Sequence, residues 1–326
     1  MNPWPELVPE ALGTLQILRI ECLLTSQAET HLPEYLGSTL RGSLAMAMRQ
    51  MVCTYGNRPC DGCPVQASCH YPNLFETPSA TGTQEIRRMR DIPHPIVIEP
   101  PVEHRQRYLR GDPLRFEIVL IGKAVSRLPY LAFAVNEMAN TGLGVQRSPF
   151  MLQEIRDHTG EIVYDIDSGK LSRDVSGMTL RELFDSHPVL SPVKLVLETP
   201  LRMKSEGSLM TRRLDPDMFL KQSCRRLWAL LTQYEDIDPD QLDFRPLLAE
   251  TPMPRVVQSS LKWWDLERYS NRQKTKMKVG GMVGHTVWDG NIKPWWPILL
   301  AITQVHAGKG AVMGLGRIRL EQASST

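Results

Sequence analysis

Residues 306–319 combine closely spaced glycines with basic side chains, a pattern that suits the binding of phosphate groups. Four glycines fall within nine residues: Gly308, Gly310, Gly314 and Gly316. Glycine permits left-handed backbone torsions and close approach, so several N–H groups can converge on a phosphate. Lys309, Arg317 and Arg319 supply positive charge. We therefore predict a phosphate-binding loop, with a purely structural glycine turn as the alternative.

Two nucleotide-binding motifs do not fit this loop. A Walker loop requires G-x4-G-K-[ST], which the sequence lacks. A dinucleotide-binding turn places its glycines between a strand and a following helix, whereas here a predicted helix precedes the glycines and a strand follows. An anionic polymer is therefore a better predicted ligand than a nucleotide cofactor.

Two further stretches are basic, although the formal net charge of the chain is only +2. Residues 202–226 hold seven basic and three acidic residues. Residues 268–278 hold five basic residues and no acid: Arg268, Arg272, Lys274, Lys276 and Lys278. In a strand, alternation would place the three lysines on one face, which suits contact with a phosphate backbone. The alternatives are a solvated face and an edge strand protected by lysines.

Four cysteines fall within 17 residues in the pattern C-x6-C-x2-C-x5-C: Cys53, Cys60, Cys63 and Cys69. Four thiolates suit tetrahedral zinc, and the turn-forming residues between them suit a knuckle around a metal. Four protein ligands leave no open position for water, so we predict one structural Zn2+ per chain. An iron–sulfur cluster and unligated thiols are the alternatives, and His70 could replace Cys69 as a ligand.

Composition is typical of a globular protein, with 42% hydrophobic and 23% charged residues. No run of about 18 apolar residues is present, so we predict no membrane span. The first residues, MNPWPELVPEALG, carry two acids and no base, unlike a signal peptide. A cytoplasmic location is the expectation.

Periodicity predicts the same order of elements twice. The first half reads strand 14–24, a helix after Pro33, extended segment 93–101, strand 114–122, helix 129–140 and strand 148–156. The second half reads strand 193–204, helix 214–235, strands 267–279 and 281–289, helix WWPILLAITQVHAG and strand LGRIRLE. Each half closes with a proline, an apolar helix, the letters GLG and a strand.

This duplication predicts an α+β fold of two tandem ferredoxin-like (βαββαβ) domains. The first would span residues 1–190 and carry the zinc knuckle as an insertion. The second would span residues 191–326 and carry the basic strand and the glycine-rich loop. Each sheet would pack one face on two helices and leave the other for a ligand.

Several segments carry a resemblance to a known family. PEYLGSTLRGSLAMAMRQMVC with the cysteine knuckle and YPNLFETP resembles the start of the Cas-six family of CRISPR repeat-processing endoribonucleases, in its cysteine-knuckle branch. TPLRMKSEGSL, RYSNRQKTKMKVGGMVG and VHAGKGAVMGLGRIRL are similar to motifs of that family's second domain. The resemblance runs from about residue 13 to 321 and is strongest in the glycine-rich segment, which resembles the hallmark loop of the RAMP superfamily.

The resemblance implies binding of CRISPR repeat RNA and its cleavage without a catalytic metal, by attack of the 2′-OH on the adjacent phosphodiester. It also assigns RNA contacts to the glycine-rich loop, including His306, and to the basic strand. The family's usual catalytic histidine falls at Met46 in this sequence. We therefore take His31 as the leading candidate base, with Tyr35 and Arg41 assisting, and His285 as the second candidate.

Three functions are weighed on this basis. The first is a repeat-RNA endoribonuclease, and the second is a non-cleaving subunit that holds the repeat hairpin within an effector complex with other CRISPR proteins. The third is a zinc-stabilised interaction module that binds no nucleic acid. The basic stretches disfavour the third function, and Met46 favours the second.

Overall fold

The computed structural model describes residues 3–56, 58–76, 92–103, 105–166, 168–172, 175–205, 207–270 and 275–323. The chain divides into two compact units: an N-terminal unit, Ile17–Gly177, and a C-terminal unit made of Met1–Gln16 with Met178–Thr326. This division differs from the predicted boundary at residue 190. The difference arises because the segment after residue 177 packs within the second unit, where Trp296 donates a hydrogen bond to the carbonyl of His187 (3.2 Å).

The elements of the N-terminal unit are β1 (Gln16–Ser26), β2 (Thr30–His31), α1 (Gly37–Val52), α2 (His70–Phe75), β3 (Ile96–Glu99), β4 (Arg107–Tyr108), β5 (Pro113–Ile121), α3 (Leu128–Thr141), β6 (Phe150–Asp157), β7 (Ile162–Asp165) and β8 (Lys170–Leu171). A 3-10 helix, Gly122–Arg127, precedes α3. The main sheet is antiparallel with the order β3-β5-β1-β6-β7-β8.

Alternating burial along β1 explains how this sheet forms its core. Leu18, Ile20, Cys22 and Leu24 are buried, while the residues between them are partly exposed. One face of the strand is therefore apolar, which is the pattern of a sheet covered by helices on one side. Helices α1 and α3 pack against each other to form that cover. Cys22 is fully buried in this core.

The elements of the C-terminal unit are β9 (Met178–Thr179), α4 (Leu180–Ser186), β10 (Val193–Leu201), β11 (Lys204–Ser205), β12 (Ser208–Leu209), α5 (Pro216–Tyr234), α6 (Arg245–Glu250), β13 (Arg255–Trp264), β14 (Glu267–Ser270), β15 (Thr275–Lys278), β16 (Gly281–Asp289), α7 (Trp296–Val305) and β17 (Ile318–Gln322). Its 3-10 helices are Glu10–Thr14, Pro239–Leu242, Lys293–Trp295 and Ala311–Met313. The main sheet is antiparallel with the order β13-β16-β10-β17.

The second strand of this unit is not the one that the sequence predicted. The predicted strand 267–279 is instead a separate two-stranded ribbon of β14 and β15. The second strand of the main sheet is β13, whose residues are almost all exposed or half-buried. Because both faces of β13 meet solvent, its sequence lacks the alternation that reveals a half-buried strand.

Both units share one topology, and the predicted α+β fold of tandem ferredoxin-like domains is confirmed. If the four strands of each βαββαβ unit are numbered along the chain, their order across the sheet is 2-3-1-4. This order is β3-β5-β1-β6 in the N-terminal unit and β13-β16-β10-β17 in the C-terminal unit. In each unit an apolar helix and the letters GLG precede the fourth strand. Among the described residues, the helices are too short or too polar to cross a membrane.

Candidate nucleic-acid interface

The glycine-rich loop joins α7 to β17 and lies against the end of β10. The amide of Gly316 donates to the carbonyl of Pro200 (3.1 Å), and the amide of Lys309 donates to the carbonyl of Arg202 (3.0 Å). Within the loop, the amide of Ala307 donates to the carbonyl of Gly316 (3.0 Å). Backbone hydrogen bonds therefore fix the path of the loop.

Two of the predicted glycines are required by close backbone packing. A Cβ at Gly316 would lie 1.9 Å from the carbonyl oxygen of Ala307, and a Cβ at Gly308 would lie 2.7 Å from that of Arg202. Both residues also have φ of +71°. Close packing alone accounts for these two glycines, so the loop's contact with a ligand must come from its exposed part. That part contains Lys309.

His306 lies inside the glycine-rich loop. The residue is fully buried with φ of +59°, and its Nδ1 lies 3.1 Å from the carbonyl oxygen of Leu315. These contacts indicate that His306 helps to shape the loop, and its contact with RNA stays a prediction.

The two arginines after the loop are held by acidic side chains. Arg317 pairs with Glu198 (3.1 Å), and Arg319 pairs with Glu198 (2.8 Å) and with Glu321. The buried hydroxyl of Thr199 donates to the carbonyl of Gly314 (2.7 Å) and accepts from the amide of Arg317 (2.9 Å). Carboxylates thus offset the charges of Arg317 and Arg319. Lys309 is exposed at the surface of the loop.

The ribbon of β14 and β15 separates the predicted basic residues onto two faces. Arg268 lies opposite Met277 in the ladder and donates to its sulfur (3.7 Å), while Lys278 lies opposite Glu267. Residues one position apart point to opposite faces, so Lys278 does not share a face with Arg268. Burial lowers the pKa of Arg268. Lys276 lies in β15, opposite Tyr269.

Two of the predicted contacts, Arg272 and Lys274, lie outside the described residues. Two other arginines, at the two ends of the basic stretch 202–226, contact the loop region directly. Arg226 on α5 donates to the carbonyl of Val305, the last residue of α7 (2.7 Å from Nη2). Burial lowers the pKa of Arg226 to about 10. Arg202 contacts both the loop and the ribbon through its backbone and its side chain.

The predicted catalytic residues of the N-terminal unit have three different surroundings. His31 is exposed on β2, where it pairs with Arg107 of β4. Tyr35 is 9% exposed, and burial together with the nearby Glu99 raises its pKa well above the ordinary range. Arg41 donates to the carbonyl of Phe75 (2.8 Å) and lies over its ring. Of the three, only His31 is placed at the surface.

A turn after α3 brings Arg147 next to Met46, the position where the family resemblance expects the catalytic histidine. Met46, on α1, lies with its sulfur 3.9 Å from Nη2 of Arg147. Arg147 has φ of +50° and its amide donates to the carbonyl of Gly144 (3.3 Å). A Cβ at Gly144 would lie 3.7 Å from the carbonyl oxygen of His31, so β2 passes close to this turn. Sequence analysis missed Arg147 because its neighbour Met46 is distant along the chain.

The four clustered cysteines line one cavity of about 270 Å3 after α1. Burial, aided by Glu76, raises the pKa of Cys60 to about 11, and the thiol of Cys53 donates to the carbonyl of Gly56 (3.1 Å). Over the described part of the chain, no three histidine, cysteine or acidic side chains are arranged to hold a metal ion. The zinc site, with Cys53, Cys60, Cys63 and Cys69 as ligands, therefore stays a prediction.

Two ferredoxin-like units, the second with a glycine-rich loop before its last strand, define the class of this protein. A family model described as an N-terminal domain matches residues 15–175, and the model of the CRISPR-associated endoribonuclease Cas6 matches residues 195–318. Residues 195–318 are therefore similar to the Cas6 family model. No curated protein sequence matches the chain.

Solved structures with the same fold include Cas6 proteins. A partial Cas6-RT-Cas1–Cas2 complex matches 97% of this chain with a TM-score of 0.60 at 15% identity, and a second Cas6-RT-Cas1–Cas2 complex gives the same values. The match covers 47% and 30% of those two longer chains. A Cas6 product complex matches with a TM-score of 0.55 at 13% identity, over 94% of this chain and 99% of its own. At these identities the similarity shows the fold.

The close packing of the loop yields a stability prediction. Gly316→Ala should destabilise the C-terminal unit by about 3 kcal/mol or more, because the new Cβ would collide with the Ala307 carbonyl and the left-handed torsion adds strain. Urea unfolding followed by circular dichroism measures this loss. Gly290→Ala is the control, since Gly290 has φ of +108° but nothing within 4 Å of an added Cβ. The control should lose only about 1–2 kcal/mol, and equal losses would contradict the packing argument.

Proposed function

We propose that the chain binds CRISPR repeat RNA through its C-terminal unit and processes it. The observation that carries the proposal is a domain that matches the Cas6 family model and whose glycine-rich loop presents Lys309 at the surface, close to a ribbon that ends at Lys278. Cations on a backbone-fixed loop suit phosphates, which every RNA sequence shares. Three similar structures, a Cas6 product complex and two Cas6-RT-Cas1–Cas2 complexes, support a processed product and other CRISPR proteins as partners.

Cleavage is proposed to occur by attack of the RNA's own 2′-OH. The 2′ oxygen forms a bond to phosphorus, the bond from phosphorus to the 5′ oxygen breaks, and the products are a 2′,3′-cyclic phosphate and a 5′-OH. A base must take the 2′ proton, and the leaving 5′ oxygen must receive one. His31 is the proposed base because it is exposed at the surface beside the Gly144 turn. Arg147 on the same turn is suited to stabilise the charge on the phosphorane.

The second candidate function is RNA binding without cleavage, within an effector complex. Met46 favours it, because methionine cannot transfer a proton at the position where the family resemblance expects histidine. The burial of Tyr35 and the engagement of Arg41 by Phe75 also leave fewer groups for acid–base chemistry. Binding and cleavage therefore need separate tests.

A structural zinc ion is proposed for the cavity lined by the four cysteines. The donor chemistry supports it, since four thiols at the wall of one cavity match the ligand type and number of a closed zinc site. Bound zinc would link the end of α1 to α2. The cysteine-knuckle branch of the family is part of this proposal.

RNA binding should depend steeply on salt and on Lys309. We expect Lys309→Ala to weaken binding several-fold at every repeat sequence and to reduce the slope of log K against log salt by about one. Fluorescence anisotropy with labelled repeat RNA measures both quantities. Lys293→Ala is the control, because Lys293 is exposed at the opposite end of α7. Salt-independent binding, or an equal effect of both variants, would count against the proposed interface.

Cleavage is tested by incubating the protein with its own repeat RNA in EDTA. If the protein is an endoribonuclease, it should cut the RNA at one site and leave a cyclic phosphate. The His31→Ala variant should not cut. The His158→Ala variant should cut normally, because His158 is an exposed histidine of the same unit with no proposed role. Met46→His should raise the rate, since it adds a base beside Arg147. Intact RNA after long incubation would leave the non-cleaving subunit as the function.

Metal analysis tests the zinc proposal. Native protein should contain about one zinc per chain, and Cys60→Ser should destabilise the N-terminal unit. The control is Ser68→Ala, because Ser68 is exposed and lies between Cys63 and Cys69 in the cysteine segment. Cys22→Ser would not be a suitable control, because Cys22 is buried in the core. Iron, or no metal in protein purified without chelators, would overturn the zinc site.

A further inference from the structure

The end of β10 is the point where the two proposed RNA-contacting elements meet. On one side, the carbonyl of Arg202 accepts the amide of Lys309 (3.0 Å), and Gly308 packs against the same carbonyl. On the other side, the guanidinium of Arg202 donates from Nη1 to the carbonyls of Lys278 (3.3 Å) and Gly280 (3.1 Å). One residue therefore holds the loop by its backbone and the base of the ribbon by its side chain.

The ribbon is also held closely at its base by backbone contacts. A Cβ at Gly280 would lie 2.5 Å from the carbonyl oxygen of Trp264, and one at Gly281 would lie 2.6 Å from that of Leu201. These contacts fix where the ribbon leaves the sheet. The guanidinium of Arg202 then bonds to carbonyls on both sides of residue 279, which restrains the direction in which β15 departs.

We propose that Arg202 is a positioning residue that sets the geometry between Lys309 on the loop and Lys278 on the ribbon, so that both contact one continuous stretch of RNA. This inference rests on the proposed RNA-binding function. A cation engaged only by neutral carbonyls keeps its charge, and in the described part of the chain no carboxylate pairs with Arg202. The residue thus orders the site without weakening the positive potential that attracts phosphates.

Arginine is suited to this task and lysine is not. The guanidinium is planar and rigid, so its N–H groups hold a fixed direction toward two neighbouring carbonyls. The ammonium of lysine is a flexible point charge that keeps the charge but not the fixed geometry. A conservative replacement therefore separates positioning from direct phosphate binding.

The experiment compares Arg202→Lys, Arg202→Met and, as a control for the loss of one positive charge, Lys293→Met at an exposed lysine of the same unit. Anisotropy titrations with repeat RNA over a range of salt give affinity and salt slope. Hydrogen exchange of peptides covering 275–280 in the free protein reports the order of the ribbon without RNA. Thermal unfolding identifies any variant that fails to fold, in which case Arg202→Lys decides the outcome.

We expect both Arg202 variants to bind RNA roughly tenfold more weakly, because displaced contacts lose affinity steeply, while their salt slopes stay close to that of the wild type. Exchange at 275–280 should speed up in both. Lys293→Met should change neither exchange nor affinity by more than about twofold.

Two results would overturn the inference. If Arg202→Lys binds like the wild type while Arg202→Met loses about one unit of salt slope, Arg202 contacts a phosphate directly. If exchange and affinity are unchanged in both variants, Arg202 positions nothing. A wild-type protein that binds no RNA would overturn the proposed function instead, and the exchange data would still decide whether Arg202 orders the ribbon.

Discussion

The close approach between the glycine-rich loop and the end of β10 is the constraint on which the C-terminal interface depends. At Gly316 the chain passes so near the Ala307 carbonyl that no side chain fits, and the amide of Gly316 then reaches the carbonyl of Pro200. His306 fills the space beneath the loop. With the backbone fixed in this way, a single exposed side chain, Lys309, acquires a defined position relative to the sheet.

In the N-terminal unit, close backbone packing at a glycine also fixes a turn, but this turn presents a different cation. Its GLG turn follows α3 directly, and a Cβ at Gly142 would lie 2.2 Å from the carbonyl oxygen of Arg147. In the C-terminal unit, eight residues from His306 to Met313 separate the helix from the same letters. The shorter turn places Arg147 beside Met46, whereas the longer loop presents Lys309. One duplicated module thus offers a cation in each unit.

Much of the fold could be predicted from sequence because its core strands and helices alternate strongly between apolar and polar positions. Among the four strands of each ferredoxin-like sheet, the exception was β13, which meets solvent on both faces and so leaves no periodic pattern. The site was predicted less well. The glycine spacing indicated the loop, but the roles of Arg202 and Arg226 depend on backbone carbonyls that come close only after folding. No side-chain pattern encodes such acceptors, and the burial of His306 was equally hidden.

The same strand β13 has a consequence for the behaviour of the protein in concentrated solution. It is ten residues long and forms one margin of its sheet, so its outer row of amides and carbonyls is a template for pairing with an extended segment of another molecule. Two features oppose such association: a bulge at Val257 interrupts the regular spacing of the row, and the exposed Lys262 places a charge along it. Colloidal stability of the chain thus depends on a few residues of this edge strand.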